Sequence, residues 1–192
     1  MKKIILFVFL SLGLVAGNLD KDNTIGIEIN PVSIASAGTF ISGGVSYFYH
    51  DSGVEIAMPF FYYSNGEEEE YYSKNNSYEK EDKYQQFNID LHYRQYHDGV
   101  IGGLYYGGLV RYIFLDGKLK DEHMNAKVSK VGLAGEIGYK TFGLFGYKQL
   151  YWGASFSVGA YLTDKYDQFQ EPMPGDSIAL VDVEFFKFGV TF

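Results

Sequence analysis

A period of two runs through most of this 192-residue chain. Phe87, Ile89, Leu91 and Tyr93 share one side of a run, and Asn88, Asp90, His92 and Arg94 share the other. Trp152, Ala154, Phe156, Val158 and Ala160 likewise oppose Gly153, Ser155, Ser157 and Gly159. A third run sets Val131, Leu133, Ile137 and Tyr139 against Gly132, Ala134, Glu136, Gly138 and Lys140. Successive residues of a strand point to opposite faces, so this pattern requires a sheet with one apolar and one polar face. No sustained helical period follows residue 17. The 18 Tyr, 16 Phe and 23 Gly against only 4 Pro suit an all-β chain.

Eight such runs are legible, at 24–35, 39–50, 53–63, 83–96, 100–115, 126–142, 149–163 and 177–192. Their connections alternate in character. Those at 50–53, 97–99 and 143–148 are short, whereas 64–82, 116–125 and 164–176 are longer and polar. Only Ser36-Ala37-Gly38, between the first two runs, departs from this by being tight. Short turns at one end and long loops at the other are the layout of an eight-stranded antiparallel up-and-down transmembrane β-barrel, with both termini on the short-turn side. A sandwich would alternate similarly, so the aromatics carry the distinction. Tyr47, Tyr49, Tyr93, Tyr96, Tyr106, Tyr139 and Trp152 lie near the short turns; Phe60, Tyr62, Tyr112, Phe114 and Tyr161 lie near the long loops. The eight residues from Tyr106 to Phe114 rise roughly 20 Å on a tilted strand, which fits two interfacial girdles.

The N-terminus carries an address. Lys2 and Lys3 precede an apolar run from Ile4 to Ala16, and Val15-Ala16-Gly17 offers small residues for cleavage, so residues 1–17 read as a secretory signal peptide and 18–192 as one barrel domain. The run falls short of the ~20 apolar residues of a spanning helix. Without Cys there is neither a disulfide framework nor a thiol for lipid attachment. Cleavage leaves 14 basic against 24 acidic residues, a net −10 that excludes phosphate-backbone binding, so nucleic acid is not expected as a partner. The other terminus ends in a strand whose Phe186, Phe188, Val190 and Phe192 alternate with Lys187, Gly189 and Thr191. A chain end in water frays, and one finishing on an aromatic suits a lipid-facing strand.

Two prolines strain this reading, because a closed barrel has no edge to absorb a missing N–H. The apolar phase changes near Pro31, from Ile25, Ile27 and Ile29 to Val32 and Ile34, and again between Val183-Glu184-Phe185 and Phe186. Both positions are expected to be bulges, the alternative being that the runs before and after them are separate short strands. Pro59 lies inside the third run.

Alternation assigns Glu28, Glu55, Asp90 and Glu136 to the polar face with Arg94, Arg111, Lys140 and Lys187. Four acids meet four bases, and Glu28 is expected to pair with Lys187 across the seam between the first and last runs, Glu55 with Arg94. One reading of the set is a gated ion path. The other is a polar core, favoured because eight strands leave room only for side chains. Tyr105 and Tyr151 are expected to help plug it. No two histidines have i, i+2 or i, i+4 spacing, so no metal site is expected. His92 with Ser155 or Ser157 is the one conceivable Ser–His pair, and inside a barrel it would not reach a lipid. In the 64–82 loop, Glu67, Glu68, Glu69 and Glu70 precede Tyr71 and Tyr72, and these six are the outer-loop interaction candidates. Such a block is ordinarily a solvated surface.

With these features the chain resembles the small eight-stranded outer-membrane barrels of the OmpA/OmpX/OmpW type, of Gram-negative envelopes. The resemblance implies residence in the bacterial outer membrane, with contacts to its lipid and lipopolysaccharide. It also implies a terminal strand, with Phe188, Val190 and Phe192, that the barrel-assembly machinery reads. Members include structural proteins, adhesins, narrow porin-like channels and a few lipid A-modifying enzymes. No local motif of those enzymes is present, so the expectation is a non-enzymatic barrel, without cofactor, whose role is structural or exercised through its extracellular loops. A narrow ion-conducting channel is the alternative, and a lipid A-modifying enzyme a more distant one. Deleting Phe192 is expected to lower the outer-membrane level while the chain still reaches the periplasm, as measured by fractionation; unchanged outer-membrane levels would remove the targeting argument.

Overall fold

A computed structural model describes residues 24–31, 40–65, 71–72, 78–79, 83–118, 125–166 and 178–192. Its strands are β1 (Thr24–Ile29), β2 (Phe40–Tyr49), β3 (Val54–Asn65), β4 (Tyr71–Tyr72), β5 (Tyr78–Glu79), β6 (Lys83–Tyr96), β7 (Gly103–Lys118), β8 (Asn125–Phe142), β9 (Leu150–Tyr166) and β10 (Ala179–Thr191). Eight of them close into one antiparallel barrel in the order β1-β10-β9-β8-β7-β6-β3-β2. This is the up-and-down topology the alternation implies. The two-residue strands β4 and β5 pair with each other outside it, Tyr71 opposite Glu79 and Tyr72 opposite Tyr78.

Boundaries shift where backbone chemistry overrides pattern. β7 starts at Gly103 and not at Val100, because the positive φ of Gly102 (115°) and Gly103 (85°) turns the chain just as the ladder begins. β7 and β8 run beyond their expected ends to pair Lys118 with Asn125, so the loop between them is shorter than its polar sequence implies. The turn after β8 contains a 3-10 turn, Leu144–Gly146, in which Phe145 has φ 54°.

Pro31 is not a bulge. β1 ends at Ile29, two residues before it, and the ring's missing N–H thus costs no ladder bond. Pro59 stays within β3 opposite Gly44, with no register shift on either side; the β3–β6 ladder simply skips from Ala57 opposite His92 to Phe60 opposite Ile89. The bulge expected near Phe186 is present. Glu184 pairs with Ser155 and Lys187 with Gly153, so Phe185 and Phe186 together face Ala154. A second bulge, which the sequence pattern hides, inserts Leu162 into β9 between Tyr161 opposite Gly132 and Thr163 opposite Val131.

The two faces are inverted relative to a water-soluble domain. Leu91, Val110, Leu133, Ile137, Phe156 and Val158 point outward and are exposed, Leu91 at 54%. Arg94, Lys140 and Glu55 point inward and have no accessible surface. Outward aromatics include Tyr47, Tyr93, Tyr106 and Tyr139 near the short turns and Phe60, Tyr112 and Phe114 near the opposite end. Tyr96 does not belong to that set. It shares the parity of His92 and Arg94 and is buried inside; Tyr161 shares the inward parity of Ser155 and Ser157, and likewise does not join the outer aromatics.

Small residues on the inner face make room for this content. A Cβ added to Gly26 would sit 2.7 Å from both Phe48 Cε2 and Tyr151 Oη, two fully buried rings, whereas one added to Gly135 on the outer face meets nothing nearer than Val158 O at 4.0 Å. Gly26→Ala should therefore cost about 1–3 kcal/mol by overpacking, and Gly135→Ala should be neutral or slightly stabilising. Urea unfolding of the micelle-refolded variants measures both, and equal effects would contradict the packing described.

Candidate functional site

Register builds the centre of the interior. β3 and β6 place Glu55 opposite Arg94, and β6 and β7 place Asp90 opposite Arg111. Arg94 Nη1 donates to Glu55 Oε1 at 2.7 Å, while its Nε and Nη2 donate to Glu136 Oε2 and Oε1 at 2.9 and 3.0 Å. The second pair is bidentate, the geometry for which a planar guanidinium is suited. Lys140 Nζ completes the short-turn half by donating to Glu28 Oε1 at 2.6 Å and Glu55 Oε1 at 2.9 Å. Hydroxyls satisfy the remaining carboxylate valences. Ser46 and Tyr96 donate to Glu55 at 2.8 and 2.7 Å, and Tyr151 donates to Glu28 at 3.1 Å. Four buried rings (Phe48, Tyr96, Tyr105 and Tyr151) pack around these charges, with Lys140 Nζ 4.6 Å from the Tyr151 centroid and Arg94 Cζ 5.1 Å from that of Tyr105.

His92 links this half to the next. Its Nδ1 donates to Glu136 Oε2 at 2.8 Å, and its Nε2 faces Asp90 Oδ2 at 3.4 Å. Beyond it, Arg111 spans two strands, with Nε 2.9 Å from Asp90 Oδ1, Nη2 2.6 Å from Asp90 Oδ2, and a further bond to Asp182. Lys187 pairs with Glu184 and bonds Ser155 Oγ at 3.2 Å.

The eight interior residues expected from alternation are thus gathered in one network. Their partners are not all as expected. Glu28 bonds Lys140 from across the interior, and Lys187 bonds Glu184; the Glu28–Lys187 pair does not form. The register places Glu28 opposite Gly189, two residues along β10 from Lys187. Ser155 bonds Glu184 and Lys187, and His92 bonds carboxylates, so that Ser–His pair does not form either. Asp182 and Glu184 are network members that sequence reasoning passed over, and His92, already on the polar face by parity, joins the network through Glu136 and Asp90. The bulge puts Asp182, Glu184 and Lys187 on one face of β10, and two acids at i, i+2 beside a phase change were the available signal. Lys130 is a further buried inward cation, 5.7 Å from the Tyr161 centroid.

The outer-loop candidates fare differently. Glu67, Glu68, Glu69 and Glu70 lie outside the described residues, as does the 1–17 segment, and Tyr71 and Tyr72 form β4. His50, in the β2–β3 turn, bonds Thr24 Oγ1 at 3.0 Å, and partial burial pushes its imidazole down from the usual value. Among the terminal residues Phe192 is exposed, Phe188 half-buried and Val190 buried between its ladder partners Ile27 and Leu150. No family model, curated protein or solved structure matches this chain.

Removing one member of a buried ion pair strands the other, so Arg94→Ala should cost about 3–5 kcal/mol. In double-mutant cycles with Glu28→Gln, the coupling to Lys140→Met should exceed the coupling to Lys187→Met. Denaturant unfolding measures both cycles, and the reverse order would refute the pairing.

Proposed function

We propose that this chain is an integral outer-membrane barrel, non-enzymatic and closed to solutes, with a structural or surface-interaction role exercised at the long-loop end. One observation carries the reading: the barrel exposes Leu, Ile, Val and Phe all around its outside and encloses its ionised side chains. In water that arrangement would leave a large apolar surface uncovered. In a bilayer it is the stable one, since a closed sheet satisfies every ladder hydrogen bond internally. The rings of outward Tyr and Phe near both ends fit the two interfaces of such a bilayer.

Closure to solutes follows from the short-turn half. Phe48, Tyr96, Tyr105 and Tyr151 fill the cross-section together with Arg94 and Lys140, all fully or almost fully buried. An ion crossing here would have to displace charges bonded at 2.6–3.0 Å. The narrow-channel alternative finds no support in that packing. The non-enzymatic reading rests on the interior ionisable groups being bonded to one another and shielded from the lipid side.

Three measurements test this. The detergent-extracted protein should migrate differently before and after boiling, and cell fractionation should place it in the outer membrane. Planar bilayers containing it should show no resolved single-channel conductance. Stable unit conductance in the pure protein would overturn the closed reading, and recovery in the soluble fraction would overturn the membrane reading. Lipid A mass spectra that change with the protein and depend on His123, the histidine of the 116–125 connection, would overturn the non-enzymatic one.

A further inference from the structure

The two halves of the interior differ. The short-turn half is filled, whereas the long-loop half encloses a cavity of about 380 Å3 whose polar wall includes Asn88, Asp90, Arg111, Tyr161, Asp182 and Glu184. We propose that this cavity is a binding site for a small neutral polyhydroxylated ligand, the size of one or two hexose units. Its volume is within the range of small-molecule pockets.

The unused hydrogen-bonding valences argue for that chemistry. Asp182 Oδ2 is taken by Arg111, and Glu184 Oε2 by Ser155 and Lys187, which leaves Asp182 Oδ1 and Glu184 Oε1 without a partner among the described residues. Asn88 is only 8% exposed; its Oδ1 accepts from Gln86 at 2.9 Å, and its Nδ2 donors have no partner among the described residues. Among the described residues every side-chain N or O atom shut off from solvent is bonded, so the unused valences are ones that meet open space. The cavity thus offers acceptors and a donor together. A hydroxyl serves both at once, as a simple cation or anion does not.

Charge selects against anions. Arg111 is shared by Asp90 and Asp182, and Glu184 is matched by Lys187, so three carboxylates face two cations and each carboxylate is already engaged. No group of three or more metal-ligating side chains occurs among the described residues. Pro59 and Phe61 supply an apolar stretch of the same wall, against which the C–H face of a sugar ring packs. The inference stands on the interior alone and does not depend on the barrel's location.

Saturation-transfer NMR on the full chain, refolded in a detergent without a sugar headgroup, tests it with D-glucose, D-galactose, D-mannose, maltose and lactose as probes. At least one should receive transfer at its ring protons. Asn88→Leu, which removes the donor, and Asp182→Leu, which removes the free acceptor, should each weaken binding about tenfold or more, the scale of a lost hydrogen bond in a buried site. Val110→Ala on the outer face should leave it unchanged. Heat-modifiable migration of the same samples reports whether each barrel is folded; the two variants sit on different strands, so either one folded suffices. Transfer to none of the sugars, equal transfer in a folded Asn88→Leu or Asp182→Leu barrel, or transfer to spermidine alone would overturn the proposal.

Discussion

Arg94 is the residue on which the interior depends. Its guanidinium joins β6 to Glu55 on β3 and to Glu136 on β8, so three strands are tied through one planar group with no accessible surface. Burying such a group in isolation would be prohibitive, because desolvating an ion costs several kcal/mol or more. The surroundings are organised around this cost. Carboxylates on two sides, Tyr105 beside it, and hydroxyls from Ser46 and Tyr96 that complete Glu55 leave no buried polar side-chain atom without a partner among the described residues. Such a network is energetically neutral or modest as a whole and expensive to break in part. It gives the barrel specificity of register, since a slip of one residue along β6 would carry Arg94 to the apolar outside.

The fold was legible because a period of two cannot be mistaken over 14 residues such as Lys83–Tyr96. Antiparallel neighbours joined by short turns then follow in order, and parity names the inward residues. Pairing was legible only between adjacent strands: Glu55 with Arg94 could be read from hairpin-like height, whereas Lys140 reaching Glu28 from β8 to β1 depends on the width of the closed barrel. Bulges hid the remainder. One inserted residue at Phe185 and Phe186 changes which side chains of β10 look inward, and Leu162 does the same at the end of β9 without any Pro or Gly to announce it. Pro31 was the opposite error, a phase change read as a defect inside a strand where the strand has simply ended.

The division of the interior into a filled half and a hollow half has a local cause. Near the short turns the inward positions carry Phe48, Tyr96, Tyr105 and Tyr151, and Gly26, Gly138 and Gly189 provide the recesses that admit those rings. Toward the long loops the inward positions of β2 and β6 carry Ser42, Gln86 and Asn88, which are too short to meet across the barrel, and a void remains. Side-chain volume along the axis thus decides what each end is able to do: one end holds the cylinder in shape and the other has space to receive something.

The seam between β1 and β10 adds a consequence in time. Its ladder extends only from Gly26 to Ile29, with Phe192 N donating to Ile25 O at 2.9 Å just beyond, whereas β7 and β8 are paired from Gly103 to Lys118. The two seam strands are also the most distant in the chain, so joining them closes a loop that includes every other strand. Contacts of that span form late and slow a folding reaction. A growing barrel would therefore exist as a curled open sheet, stitched through its hairpins, until the final strand arrives. The same short ladder makes this line the place where a finished barrel parts most readily.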